Sequence, residues 1–322
     1  MDYFTLDNGR ARLSRVILGG HEYLPSGASR GFNEDFARAV TPGEIFPGFG
    51  GEGRRAVLKA AYDLGVNVFD VTIDAEKEAL GRNLAEMPPP YEVFVQTRPE
   101  GMCYGYDLGN RRMADLAQLR AEVQRCLKLL RRERLDILNL GILRDARDQD
   151  PDFLDKLAAN IAALKREGLI RFAAADTFSG EETFLAMIAT GAFASINLNF
   201  NLAEDFAESA VIPAARAKGM AVVTREAFMK GGLFPLGTEA GITDKALLAR
   251  GAMGWIAARP GVDAVIVGAD TPEHLKANAA AILAPRPGTA EEAGLAALRA
   301  APGFIEHRRR KAAEFGAAAA TN

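Results

Sequence analysis

Short apolar runs alternate with longer segments of helical period along most of the chain. The first clear run is RVIL at 15–18, and a helix is predicted over 52–64, where apolar residues recur at helical spacing. Further strands are predicted over 66–69, 91–96, 135–140, 170–175, 194–198, 220–224 and 262–267. Further helices are predicted over 76–84, 113–130, 152–166, 181–190, 203–218 and 244–258, and from 271 onward. The order is therefore strand and helix in regular alternation.

This alternation favours one α/β domain over 1–322, a (β/α)8 TIM barrel closed by eight parallel strands. Residues 1–14 read as a small hairpin turned at Asp7-Asn8-Gly9, a sequence typical of tight turns. Residues 285–322 form a trailing segment, predicted to be helical in part. Pro213 lies inside the helix predicted over 203–218 and is expected to end or kink it.

Two long loops follow the first and seventh barrel strands. The loop over 21–51 holds six glycines, three prolines and four phenylalanines. The loop over 228–243 is expected on the same face of the barrel, the C-terminal face, where the active sites of such barrels lie. Aromatic residues beside glycines indicate a folded lid over the barrel mouth, although a packed loop without an active role is the alternative.

Composition and charge narrow the function classes. Acidic residues (42) nearly balance basic ones (39), which gives a net charge of −3 and argues against a nucleic-acid surface. The two cysteines are too few for a disulfide scaffold and are expected to be reduced thiols. No signal peptide or membrane span is predicted, so we expect a cytoplasmic protein with a small-molecule substrate. The sequence gives no indication of its oligomeric state.

Five short segments carry a resemblance to a known family. They read AYDLGVNVFD at 61–70, EALGR at 78–82, LKREGLIR at 164–171, RPGV at 259–262 and TPE at 271–273. In this order, over about residues 1 to 283, they resemble the aldo-keto reductase superfamily. The resemblance implies a barrel that reduces carbonyl compounds with a nicotinamide cofactor.

The family's four catalytic residues are only partly matched. The resemblance implies an Asp, a proton-donating Tyr, a Lys that lowers the pKa of the Tyr, and a His that orients the carbonyl. Asp70 matches, but Ala75, Arg98 and Gly141 stand where the Tyr, Lys and His are expected. Since general acid catalysis contributes about 10² to 10⁴ in rate, ordinary aldehyde reduction is expected to be weak or absent. An ion pair between Arg98 and Asp70 is expected to remain.

The cofactor positions implied by the resemblance are altered too. Asp176-Thr177 replaces a Ser-Asn pair, Asn197 replaces a Gln, and Arg225 replaces the Tyr that stacks on the nicotinamide ring. Asp270 stands where a basic residue often binds the 2′-phosphate, so NAD is favoured over NADP if either binds. The candidate cofactor-binding residues are Asn197, Arg225, Gly268, Asp270 and Asn278.

Charged and polar side chains nevertheless mark most of the predicted strand ends. The candidate catalytic residues are His21, Asp70, Arg98, Asp176 and Glu226. The candidate substrate-binding residues are Glu22, Tyr104, Asn139, Asn199 and Lys230. These strand ends meet at one face, so we expect a common pocket in which Arg98 and Arg225 clamp an anion and Asp176 and Glu226 form an acid–base pair. No spacing typical of metal ligands is present, and no metal is expected.

Three function classes remain open. The first is an NAD(P)-linked oxidoreductase on a small polar carbonyl or hydroxy compound, with a relocated proton donor. The second is a non-redox acid–base enzyme, an isomerase, epimerase or lyase that acts on a sugar or hydroxy acid. The third is a non-catalytic sensor or scaffold. Two smaller alternatives also remain: His21 as a cap of the lid loop, and an Asp70–Arg98 pair that is only structural.

Overall fold

The structure, a computed structural model, describes residues 1–6, 9–24, 28–284 and 286–320. A hairpin of β1 (Tyr3–Leu6) and β2 (Ala11–Ser14) precedes the barrel. The barrel strands are β3 (Val16–Gly19), β4 (Val68–Val71), β5 (Phe94–Thr97), β6 (Leu135–Ile142), β7 (Ile170–Thr177), β8 (Ser195–Asn199), β9 (Ala221–Arg225) and β10 (Ala264–Val267). The predicted (β/α)8 barrel is therefore confirmed.

The barrel closes because β10 pairs in parallel with both β3 and β9. The remaining strands pair in sequence order. The hairpin is antiparallel, with Tyr3 opposite Ser14, and its Leu6 and Leu13 pack against the apolar floor inside the barrel. Two positions of the predicted hairpin turn, 7 and 8, lie outside the described residues.

Helices surround the strands as predicted, with some changes at their ends. They are α1 (Phe36–Ala39), α2 (Glu52–Leu64), α3 (Asp74–Glu86), α4 (Arg111–Ala114), α5 (Leu116–Leu130), α6 (Arg144–Gln149), α7 (Phe153–Arg166), α8 (Gly180–Ala189), α9 (Val211–Ala217), α10 (Leu233–Glu239), α11 (Lys245–Ala257), α12 (Pro272–Leu283), α13 (Thr289–Ala300) and α14 (Pro302–Ala320). No described helix combines the length and apolar character needed to cross a bilayer.

Two predicted helices differ from the structure. The helix predicted over 113–130 is divided at Asp115, whose carboxylate accepts hydrogen bonds from the N–H groups of Ala117 and Gln118 and so starts α5. Pro213 neither ends nor kinks a helix. It lies in the first turn of α9, where its missing N–H removes no helical hydrogen bond.

The barrel interior has an apolar floor and a polar upper layer. The floor contains Ile17, Val68, Phe94, Ile137 and Phe172. Side chains alternate along each strand, so the residue two positions further on faces the interior one layer higher. Asp70, Gln96 and Asn139 stand two positions beyond Val68, Phe94 and Ile137 and make this layer polar. Asp176, four positions beyond Phe172, and Asn197, which lies opposite it in the strand register, continue the polar lining toward the mouth. The sequence thus replaces core packing with hydrogen-bonding groups at the C-terminal mouth.

The described residues of the loop over 21–51 pack on the barrel beside that mouth. Phe46 and Phe49 form a buried apolar cluster with Ile73, Ala75 and Ala79 at the start of α3. Ala75, which stands at the expected Tyr position, is therefore covered by the loop and has only 1% of its surface exposed.

A buried network of charges anchors the same loop. The Lys77 ammonium group lies 2.9 Å from the Asp74 carboxylate and 3.1 Å from that of Glu100, and all three side chains are buried. Asp74 also accepts a hydrogen bond from the N–H of Gly43 and pairs with Arg125. Burial alone would lower the pKa of Lys77, but the neighbouring anions raise it instead, so Lys77 remains charged.

We expect Lys77→Met to lower the free energy of unfolding by about 3 to 5 kcal/mol, because the buried Glu100 carboxylate loses its ion-pair partner. Urea denaturation measures this change. Lys59→Met is the matched control, since Lys59 pairs with Asp63 on the surface, and little change is expected there. Adding Glu100→Gln to Lys77→Met should recover part of the loss. Equal stability of the Lys77 and Lys59 variants would contradict the assignment.

Candidate functional site

The centre of the barrel mouth is a hydrogen-bonded cluster around Asp176, at the end of β7. The Asp176 carboxylate is fully buried and accepts hydrogen bonds from the Tyr104 hydroxyl at 2.6 Å and the Asn139 amide at 3.0 Å. Arg225 donates to both Asp176 oxygens, at 2.7 Å from Nη2, and its Nε donates to Asn199 at 2.7 Å. These bonds join five segments of the chain: the connection after β5, and the strands β6, β7, β8 and β9.

Asp176 and Arg225 are therefore fixed rather than free to act. Four donors occupy the Asp176 oxygens, so the predicted acid–base pair of Asp176 and Glu226 is not formed. Burial alone would lower the pKa of Arg225, but the Asp176 carboxylate raises it well above its usual value. The charge of Arg225 is neutralised, which removes it from the predicted two-arginine clamp.

Tyr104 occupies the space that a side chain at position 141 would need. A Cβ added to Gly141 would lie 2.4 Å from Cε1 of the Tyr104 ring. Tyr104 also has a positive φ of 50°, a strained conformation that its bond to Asp176 helps to maintain. The glycine at the expected His position is thus a packing requirement of Tyr104.

His21, at the end of β3, is paired with an acidic residue that sequence reasoning missed. Its Nδ1 lies 2.6 Å from Oε1 of Glu76, and the other Glu76 oxygen accepts from the N–H and hydroxyl of Thr72. These contacts overcome the effect of burial and lower the pKa of Glu76 to about 2. Burial alone would lower the pKa of His21, but the Glu76 carboxylate raises it above the usual value. The His21 side chain is still 37% exposed.

The expected ion pair between Asp70 and Arg98 is absent among the described residues, so that prediction is wrong. Gln96 lies directly opposite Asp70 in the β4–β5 register, and its amide donates to the Asp70 carboxylate at 2.8 Å. Arg98 comes two positions after Gln96, just past the end of β5, and therefore lies above this bond. Burial raises the pKa of Asp70, and the hydrogen bond from Gln96 and the charge of His21 offset only part of this rise.

Arg98 instead lies among aromatic rings at the mouth. Its guanidinium carbon is 5.5 to 5.7 Å from the ring centres of Phe32, Tyr104 and Tyr106. Only 8% of Arg98 is exposed, and its Nε and Nη2 have no hydrogen-bond partner among the described residues. Burial alone would lower its pKa, but Tyr106, Tyr104 and Glu100 raise it. The mouth therefore holds a permanent cation with two unused donors.

Glu226 and Lys230 lie at the edge of the site. Their side chains are 3.6 Å apart, and Lys230 is mostly exposed. Burial raises the pKa of Glu226, whose other charged neighbours include Glu204 and Lys311. Glu22 binds the N–H of Gly50 at 2.7 Å and so holds the lid loop.

The predicted adenine end of the cofactor site lies past β10. The Asn278 amide donates to the Gly268 carbonyl at 3.3 Å, and Asp270 is exposed nearby. Tyr23 of the lid loop lies against Gly268, since a Cβ at that glycine would be 3.2 Å from the Tyr23 hydroxyl. These residues form a group separate from the Asp176 cluster.

Asn197 bears on whether a nicotinamide fits the mouth. Both polar atoms of its side chain are buried and have no partner among the described residues. The Asn139 and Gln96 carbonyl oxygens in the same layer are likewise unpaired. Two primary amides can satisfy each other's hydrogen-bonding groups, because each has an NH₂ donor group and a carbonyl acceptor. Asn197 therefore fits the carboxamide of a nicotinamide, whereas the saturated Asp176 does not.

Sequence reasoning missed three residues that build this site, Glu76, Gln96 and Phe178, whereas Tyr106 was a candidate for the replacement acid. The Arg225 guanidinium lies 4.8 Å from the Phe178 ring centre. The one usable sequence signal was Glu76, an acid in the first turn of a helix just after a strand. Among the described residues, no group of three or more potential ligands is arranged to hold a metal ion.

We expect Gly141→Ala to lower the free energy of unfolding by about 1 to 3 kcal/mol, because the new methyl group overlaps the Tyr104 ring. Thermal and urea denaturation measure this. The same substitution should have a much smaller effect in a Tyr104→Ala background. Gly53→Ala is the control, since the space around Gly53 is open and the helix gains a better helix former. A Gly141 variant as stable as the original would refute the packing argument.

Comparison with known proteins agrees with this architecture. The model of the aldo/keto reductase family matches residues 52–241. The glycerol dehydrogenase AKR11B4 from Gluconobacter oxydans is 20% identical, with a TM-score of 0.64 over 93% of this chain and 95% of that one.

A second solved structure is similar to the same degree. It is an aldo-keto reductase from Klebsiella pneumoniae in complex with NADPH, 19% identical, with a TM-score of 0.62 over 94% of this chain and 96% of that one. Sequence comparison with curated proteins gives no significant match. The family match covers more than half of the chain, and the chain belongs to the aldo/keto reductase family.

Proposed function

We propose that this protein is a nicotinamide-linked oxidoreductase that acts on a small polar carbonyl or hydroxy compound, with His21 as its proton donor and acceptor. The observation that carries the proposal is the His21–Glu76 pair at the barrel mouth, beside Asp70 and Arg98. Family membership implies oxidoreductase chemistry in general. The pair supplies the acid that Ala75 and Gly141 lack.

The Glu76 carboxylate orients His21 for proton transfer. An ionised Glu76 accepts from Nδ1, so Nδ1 carries a proton and Nε2 is the nitrogen left for substrate. The raised pKa of His21 keeps a larger share of it protonated near neutral pH. In reduction, Nε2–H donates its proton to the developing alkoxide, and in oxidation the neutral Nε2 accepts the hydroxyl proton.

Arg98 provides the electrostatic part of the site. The N–H groups of its Nε and Nη2 can donate to the carbonyl oxygen as negative charge develops on it. Arginine does not release a proton near neutral pH, so Arg98 polarises the oxygen while His21 protonates it. A fixed cation among aromatic rings favours small polar or anionic substrates, and we expect simple apolar aldehydes to react slowly.

The cofactor, when bound, supplies or accepts a hydride. Asn197 is the residue of the polar layer that would hold its carboxamide, because both of its side-chain atoms lack partners among the described residues. Asn278 and Gly268 would lie at the adenine end, with Asp270 close to the ribose. An exposed carboxylate there favours a ribose hydroxyl over a 2′-phosphate.

A non-redox acid–base enzyme is the second candidate, favoured by one observation. The Arg225–Asp176–Tyr104 cluster spans the positions at which the family resemblance places the nicotinamide contacts. If these contacts exclude the cofactor, His21 and Glu76 can still move a proton on a sugar or hydroxy acid.

We also infer a cytoplasmic location, since Cys103 and Cys126 are free and buried.

We expect reduction of small polar carbonyls to slow as the pH rises through the raised pKa of His21, because the protonated form is the donor. His21→Gln should lower kcat about 10²-fold or more. Stopped-flow or steady-state assays with a panel of 2-keto acids, hydroxyketones and aldehydes measure this. In Glu76→Gln the fall should occur at a lower pH, since the carboxylate that raises the pKa of His21 is gone.

His274→Gln is the matched control, because His274 is exposed on α12. Its rates and pH profile should equal those of the original protein. Unchanged activity in His21→Gln would exclude His21 as the acid. If no carbonyl is reduced, but deuterium from solvent enters a hydroxy acid or sugar and His21→Gln abolishes this, the second candidate replaces the first.

We expect NADH to bind more tightly than NADPH, because Asp270 would repel the 2′-phosphate. Isothermal titration calorimetry with both cofactors measures the ratio. In Asp270→Asn the preference for NADH should weaken, while Asp35→Asn in the lid loop should leave the ratio unchanged. Equal or tighter binding of NADPH by the original protein would overturn this expectation.

A further inference from the structure

A second cavity lies far from the barrel mouth, between α11, α13 and the segment that joins α12 to α13. It has a volume of about 490 Å³, within the range of small-molecule sites. Its wall includes Arg259, which follows α11 and precedes β10. The amino end of β10 lies at the face opposite the mouth, so this cavity is separate from the proposed active site.

Three arginines and one glutamate line this cavity: Arg259, Arg286, Arg299 and Glu292. Arg259 has Glu208 at 3.4 Å, but no carboxylate of a described residue lies within ion-pair distance of Arg286 or Arg299. Burial and the charges of Arg259 and Arg308 lower the pKa of Arg299. Positive charge therefore accumulates locally in a protein whose net charge is −3.

The floor of the cavity is apolar and aromatic. The Trp255 ring lies beneath two guanidinium groups, 4.0 Å from that of Arg259 and 5.0 Å from that of Arg299. Its other neighbour is Phe200, stacked at 5.7 Å between ring centres. Leu295, Ala296 and Pro287 complete the apolar lining. Such a lining suits a ligand with an apolar body and a charged end.

We propose that this cavity binds a small organic anion, a phosphate monoester or carboxylate, with the charged group on Arg286 and Arg299. The apolar part of the ligand packs against Leu295, Ala296 and Pro287. Guanidinium groups bind these anions through two parallel hydrogen bonds. Arg299 is partly buried and Arg286 is exposed, so the charged end of the ligand lies at the open side of the cavity. The ligand also neutralises the repulsion among the arginines. The proposal does not depend on the reaction at the barrel mouth.

Trp255 is the only tryptophan of the chain, so its fluorescence reports on this cavity directly. The probes are phenyl phosphate, benzoate and inorganic phosphate, each titrated into the full chain at low and high salt. We expect a saturable change with phenyl phosphate, weaker binding of inorganic phosphate, and loss of affinity as salt rises. Benzoate separates a carboxylate site from a phosphate site.

Two variants test the two halves of the proposal. Arg299→Gln should weaken phenyl phosphate binding about tenfold or more, as expected for a charge-assisted hydrogen bond. Ala296→Phe keeps every charge but fills the cavity, and it should abolish the fluorescence change. Arg309→Gln, an exposed arginine on α14, is the control and should bind as the original does.

Circular dichroism and denaturation verify that each variant is folded. The proposal is overturned if no probe gives saturable binding. It is also overturned if Arg299→Gln and Ala296→Phe both bind phenyl phosphate like the original protein. Binding that responds to Arg309→Gln as strongly as to Arg299→Gln would indicate general surface charge and would equally refute the site.

Discussion

The hydrogen bonds around Asp176 constrain the whole barrel mouth. A fully buried carboxylate is stable only when it is paired and its oxygens are satisfied. Here the donors come from the β5–α4 connection, β6 and β9, through Tyr104, Asn139 and Arg225. Asp176 therefore fixes the position of Tyr104, and Tyr104 in turn requires a glycine at 141. One charge in the interior determines the shape of the surface around it.

Two of the three missing family residues, the Tyr and the His, are excluded by how this mouth is packed. Ala75 lies under Phe46 and Phe49 of the lid loop, where a tyrosine ring would displace the apolar cluster. Gly141 lies under the Tyr104 ring, where even a methyl group overlaps. The substitutions are compatible with a built site, because the space that each one releases is filled by another side chain of this chain.

The sequence predicted the barrel because alternating strand and helix periods are a local property, repeated eight times. It failed where contacts join distant segments. The Asp70–Arg98 pair was wrong because the strand register brings Gln96 opposite Asp70, and register cannot be read from either strand alone. Glu76 was missed because its partner, His21, is 55 residues earlier in the chain. Asp176 and Arg225 were both identified as site residues. That each occupies the hydrogen-bonding groups of the other follows only from three-dimensional distances.

The proposed acid, His21, lies close to the position that the family resemblance assigns to the proton donor, and not in a different part of the barrel. In the family resemblance, the proton donor stands at the position of Ala75, in the first turn of α3. Here the next residue, Glu76, carries the carboxylate that holds His21, two positions past the end of β3. In the proposed reaction the proton therefore enters from the β3–β4 side of the mouth, while the cation Arg98 follows β5, two positions beyond Gln96, which binds Asp70. His21 and Arg98 thus lie on the same sides of the barrel as the Tyr and the Lys that the resemblance implies. A carbonyl substrate can therefore bind in the same place, while the acid that protonates its oxygen changes from a phenol to an imidazolium.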